Sequence, residues 1–131
     1  MIGIMLLAFT NHFLFYKETE DVEMYVNYET EGKTLTVHLY GELDHHYASL
    51  LRVEVDARIK REKPKELLLE LTNMVFMDSS GLGFIMGRLR KMQKNEGTMM
   101  LVNPNRAVER MINMAGIDKF IKIIRKESVT K

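Results

Sequence analysis

Apolar residues recur along this chain at two periods, and the switches between them mark its elements. Residues 35–40 alternate, with Leu35, Val37 and Leu39 on one side, and residues 24–28 alternate more weakly. Glu31-Gly32-Lys33 lies between them as a turn, so the two runs predict a β-hairpin. His38 faces away from the apolar side and reads as an ordinary exposed residue, since nothing near it has metal-ligand spacing.

Gly41 is expected to end that strand, and Asp44 stands where a helix should begin. Over residues 47–61 the period lengthens: Ala48, Leu51, Val55 and Ile59 form a helical stripe, and Arg52, Glu54, Asp56, Arg58 and Lys60 read as its solvated face. Pro64 halts this helix. The nearly continuous apolar run Leu67-Leu68-Leu69-Glu70-Leu71 then predicts a central strand covered on both faces or nearly so.

A second helix follows, with Leu82, Ile85, Met86, Leu89 and Met92 on one face, ending near Gly97. Residues 98–102 predict another strand. Asn103 is the expected cap of a third helix, with Pro104 in its first turn, Val108, Met111, Ile112 and Ala115 as its apolar face, and Gly116 closing it. A short strand at 120–124 comes last. Strand, helix, strand in this order implies right-handed parallel crossovers.

Residues 1–23 stand apart. Their apolar stretch is interrupted by Asn11 and His12 and is shorter than the ~20 residues a membrane-spanning helix needs. It also lacks the basic start and small-residue cleavage site of a secretory signal. Residues 1–23 are expected to be a leader or a loosely ordered extension, and residues 24–131 one domain.

Composition narrows the function more than the fold. The chain has 131 residues, enough for a single core, and a formal net charge of +1 with acidic and basic residues interleaved. No general field therefore favours nucleic acid or anionic lipid. The absence of cysteine excludes a disulfide framework, thiol catalysis and cysteine-ligated zinc. The eleven methionines fit gap-filling core positions.

The chemistry concentrates at Phe76-Met77-Asp78-Ser79-Ser80-Gly81-Leu82-Gly83, where a strand hands over to a helix. Ser79 or Ser80 can cap the free N–H groups of that helix, and Gly81 and Gly83 remove side chains so that another molecule can approach closely. Capping and easy packing explain the residues as well as a binding role does. Upstream, Asp44 can cap its own helix. His45 and His46 fall in the first turn, where the positive end of the dipole disfavours their protonation.

The 76–83 segment, together with Gly41-Glu42-Leu43-Asp44-His45-His46 upstream, resembles the STAS-domain family of anti-sigma factor antagonists. The likeness runs from about residue 24 to 126. It implies an α/β fold: a mixed β-sheet of four to five strands with helices packed mainly on one face. It also implies a cytoplasmic, non-enzymatic binding module without a cofactor of its own. Carried over by position, Ser79 is the phosphorylated serine, and Asp44, His45, Asp78, Ser79, Ser80, Gly81 and Gly83 form the partner-binding surface. The implied partners are an anti-sigma serine kinase, which carries the ADP or ATP, and a protein serine phosphatase. No nucleic acid and no membrane span are implied. The Asp44-His45-His46 block favours a sporulation antagonist over one acting in a general stress response. The family usually continues into a further helix after the last strand, which this chain lacks.

Two other classes are weaker. A serine hydrolase pairing Ser79 or Ser80 with His45 or His46 would need a G-x-S-x-G elbow, but Met77 and Asp78 occupy the positions two before the serines. Gly81-Leu82-Gly83 as a phosphate cradle lacks the Gly-Lys-Ser/Thr ending of a nucleotide-binding loop.

Overall fold

The two alternating runs pair as an antiparallel hairpin, β3 (Val22–Glu31) and β4 (Thr34–Leu43), which turns through Gly32 at a φ of 60°. The computed structural model describes the backbone of residues 4–9, 12–17 and 22–127 and the side chains of residues 24–127. Met24, Val26 and Tyr28 on β3 and Leu35, Val37 and Leu39 on β4 are all buried on one face. From β4 the chain alternates helix and strand: α1 (His45–Glu62), β5 (Glu66–Met77), α2 (Ser79–Lys94), β6 (Thr98–Val102), α3 (Arg106–Met114), a 3₁₀ turn (Ile117–Lys119) and β7 (Lys122–Ile124).

Strands β4, β5, β6 and β7 lie side by side and parallel, so the five strands from β3 to β7 make the expected mixed sheet. Successive right-handed crossovers that step in one direction place their helices on one face. One apolar cluster accordingly joins Leu51, Val55 and Ile59 of α1, Phe84, Ile85 and Leu89 of α2, and Val108 and Ile112 of α3 to Leu67, Leu69 and Leu101 of the sheet. Each such fully buried aliphatic side chain contributes about 1.5–3 kcal/mol. Leu68 and Val102 are buried outside this cluster, so β5 is covered on both sides, unequally. Within residues 1–23, β1 (Ile4–Phe9) and β2 (His12–Lys17) pair antiparallel with each other, and β2 pairs with β3, which extends the sheet to seven strands.

Several local expectations are corrected. Gly41 does not end β4. It takes a φ of 96° inside the strand, where the register with β5 shifts, a backbone state that only glycine adopts without strain. Asn105, not Asn103, caps α3, accepting from the Val108 N–H at 2.7 Å. Asn103 instead ties down the chain after β7: its amide donates to the Lys126 carbonyl at 2.8 Å and its oxygen accepts from the Lys126 N–H at 2.9 Å. The last strand is three residues long because the 3₁₀ turn and the turn after it take up residues 117–121.

The charged side of α1 is not simply solvated. The Arg58 guanidinium lies 4.4 Å from the centre of the Tyr28 ring. Burial pushes the Tyr28 hydroxyl far above the usual phenol range, and burial also raises the Glu54 carboxyl, opposed by Arg58 and Arg61. Asp56 pairs with Arg88 of α2 at 2.8 Å. Arg88 is 4% exposed, so it is part of the helix interface rather than a surface position. Burial also draws its guanidinium below the ordinary value, with Asp56 opposing. His38 is half-buried and pairs with Glu29 at 2.7 Å.

Candidate functional site

Two helix starts meet at one end of the sheet, beyond the last residues of two central strands. Strands β4 and β5 stay paired to their last residues, Leu43 opposite Met77, and each is followed at once by an aspartate and a helix. Asp44 caps α1, its Oδ1 accepting from the N–H groups of His46 and Tyr47 at 3.0 Å each. Asp78 caps α2, its Oδ1 accepting from the Ser80 N–H at 2.8 Å. The second Asp78 oxygen accepts from the His45 N–H at 3.2 Å, and the Asp78 N–H donates to the Leu43 carbonyl at 3.2 Å. A single carboxylate therefore serves both helix starts and locks the two loops together.

The cap expected from Ser79 or Ser80 is thus taken by Asp78. Its two oxygens reach two helix starts at once, and its charge suits the positive dipole ends. Ser79 becomes the first residue of α2 and is exposed, and among the described residues its hydroxyl has no hydrogen-bond partner. The same holds for any bond from Ser79 or Ser80 to the His45 or His46 ring, so the hydrolase pairing has no geometric support. A phosphate cradle is equally unsupported, because Asp78 already occupies the α2 start.

The two glycines have different duties. A Cβ on Gly81 would stand 2.7 Å from the Met77 Cβ, so Gly81 is bare in order to let α2 turn tightly against the end of β5. Gly83 is exposed, and a Cβ there would meet nothing within 4 Å. It lines a shallow groove of about 280 Å³ between the helices, with His45, Ser49 and Arg52 on one wall and Ser80 and Phe84 on the other. Gly81→Ala is expected to destabilise the fold by about 1–3 kcal/mol through overpacking. Gly83→Ala is expected to stabilise it by about 0.5–1 kcal/mol, as for an ordinary helical glycine. Urea unfolding of the two variants checks the opposite signs.

Val75 and Phe76, outside the expected partner-binding set, are 64% and 49% exposed shortly before Asp78. Strand β6 pairs with β5 only from Glu66 to Glu70, so the last part of β5 stands free of it. The Asn105 side-chain amide takes over there, donating to the Met74 and Val75 carbonyls at 3.0 and 3.3 Å. Two apolar side chains at the end of an apolar-rich strand were the available signal. Along the chain they lie within four residues of Ser79.

Comparison with known proteins agrees with this architecture. Residues 25–129 match the protein-family model described as the STAS domain. The chain is 36% identical to the anti-sigma F factor antagonist of Paenibacillus polymyxa over 106 residues, which is 81% of this chain and 91% of the relative. It is 26% identical to the anti-sigma-B factor antagonist of Staphylococcus aureus over 94 residues, 72% of this chain and 86% of that one. Among solved structures, the unphosphorylated anti-sigma factor antagonist SpoIIAA superposes with a TM-score of 0.70 at 26% identity, covering 79% of this chain and 89% of the other. A phosphorylated SpoIIAA of Bacillus superposes with a TM-score of 0.65 at 25% identity, covering 79% and 92%.

Proposed function

This chain belongs to the STAS-domain family as an anti-sigma factor antagonist, a regulatory binding protein and not an enzyme, and on that premise we propose that phosphorylation of Ser79 switches its binding off. Residues 24–131 are the binding module and residues 1–23 an extension of it. In the unphosphorylated state the corner formed by Asp44, His45, Asp78, Ser79, Ser80, Gly81 and Gly83 docks on an anti-sigma serine kinase, and a sporulation sigma factor is released. The partner supplies ATP and the transfer chemistry, and a protein serine phosphatase resets the switch. All of these steps belong to the cytoplasm. The sporulation system is favoured over the stress-response one by the higher identity to the F-type antagonist, 36% against 26%.

The observation that carries this reading is the exposed Ser79 hydroxyl at a helix start whose capping duty Asp78 has already assumed. A phosphate there would bring about −1.5 to −2 charges without displacing a structural hydrogen bond. The positive end of the α2 dipole favours it, whereas Asp44 and Asp78 repel it, so it should project outward toward a docking partner. That relatives with this fold are known in phosphorylated and unphosphorylated forms supports a switch in surface charge rather than in fold. Within the corner, Gly81 acts by shaping the turn and Gly83 by leaving room for the partner.

The test is intact-mass spectrometry after incubation with the cognate kinase and ATP. One added phosphate mapped to Ser79 is expected. A phosphate on Ser80 or Ser49 instead, or none, would remove Ser79 from its role.

A further inference from the structure

The far pole of the molecule carries a feature that this switch does not use. Helices α1 and α2 both end there, about 25 Å along the 16-residue α2 from the Ser79 corner. Between them lies a groove of about 850 Å³, larger than the one beside Ser80 and Gly83. Lys60 and Lys63 come from the end of α1 and Lys91 and Lys94 from the end of α2. Lys33, in the β3–β4 turn, and Lys65, just before β5, close it from the sheet side. Asp56 is the only carboxylate in the lining, and it is engaged by Arg88 at 2.8 Å and Lys91 at 3.7 Å. Among the described residues the other five lysines form no ion pair.

Lysines in a last helical turn complement the helix dipole, which accounts for part of the cluster. It does not account for Lys33 and Lys65, which converge on the same groove from a turn and a loop. Nor does it account for the apolar floor, where Val53 is 64% exposed and Ala57 is exposed too, while Pro64 is buried. A chain with a formal net charge of +1 has gathered six of its nineteen basic residues around one exposed apolar strip.

We propose that this groove is a second docking surface, for an acidic amphipathic segment of a protein partner. Apolar side chains of the segment would cover Val53 and Ala57 while its carboxylates face the lysine rim. A compact polyphosphate fits less well, because the carbonyl ends of two helices point into the same region and disfavour concentrated negative charge. Charges spaced along a peptide meet lysines that are themselves spread around the rim. Because the groove lies at the opposite pole from Ser79, the two surfaces can be occupied together, and a segment held here stays bound whichever state Ser79 is in.

The probe is a fluorescent peptide with leucines at i, i+3, i+4 and i+7 and glutamates between, titrated into the full chain. Binding is expected to weaken with added salt, to be the same for Ser79→Asp, and to fall about tenfold for Lys60→Glu/Lys94→Glu, since two exposed attractions become repulsions. Both lysines are exposed, so circular dichroism should report an unchanged fold. Amide shifts on titration should map to the α1 and α2 ends. The proposal is overturned if the peptide does not bind, if the double variant binds it equally well, if the shifts map elsewhere, or if anionic vesicles or single-stranded RNA bind the groove in preference.

Discussion

Ser79→Asp is expected to weaken binding to the anti-sigma kinase by at least about 30-fold, while Ser79→Ala binds as tightly as the unmodified protein. The figure corresponds to about 2 kcal/mol, the low end of the cost of leaving a charge unpaired in a protein interface. The corner already holds Asp44 and Asp78, whose oxygens are committed to the N–H groups of His45, His46, Tyr47 and Ser80. A further carboxylate at position 79 finds no vacant capping duty and must face the partner. Calorimetric titration of each variant with the kinase and ADP is the direct measurement. Equal affinities for the two variants would remove Ser79 from the interface.

The same pair of variants separates a regulatory serine from a structural one. Loss of a true helix cap costs about 1 kcal/mol. With Asp78 as the cap, Ser79→Ala should leave stability within about 0.5 kcal/mol, as for an exposed substitution. Asp78→Ala should instead lose the cap of α2 and the bond to the His45 N–H together.

The largest stability effect is expected at the contact between α1 and α2. Asp56→Ala should cost about 3 kcal/mol and lower the melting temperature by about 10 °C, because it leaves the Arg88 charge buried and uncompensated. Arg88 also lies 5.0 Å from the Phe84 ring centre and donates to the Phe84 carbonyl at 3.5 Å, so it cannot swing readily into water. Replacing both partners, Asp56→Leu with Arg88→Met, should recover most of the loss, since an apolar pair of similar volume removes the desolvation cost. A double-mutant cycle in urea gives the coupling. A cost below about 1 kcal/mol for Asp56→Ala would mean that Arg88 escapes to solvent and that the pair is not an interior one.

Much of the fold was legible as local pattern. The 2-residue period at 35–39 and the helical stripe from Ala48 to Ile59 each reflect one buried face. Asp44 and Gly116 are recognisable because a short polar acceptor and a residue free of Cβ strain suit the two ends of any helix. Expectations failed where two local solutions competed. Ser79, Ser80 and Asp78 can all cap a helix, as can Asn103 and Asn105, and only position relative to the neighbouring elements chooses among them. Asp78 prevails because the His45 N–H, 33 residues earlier, also comes within reach of its carboxylate.

By itself, then, the chain's order of residues determined the succession of helices and strands, which faces are apolar, and that a serine follows an aspartate at a strand-to-helix junction. Tertiary structure decided which of those residues meet. It relieved Ser79 of the cap, made Gly81 a packing requirement while leaving Gly83 open, buried Arg88 against Asp56 across 32 residues of chain, and gathered six lysines around one groove. The physical reason is that each parallel crossover returns the chain to the same end of the sheet about 30 residues later, so the neighbours that set burial and charge are distant in sequence.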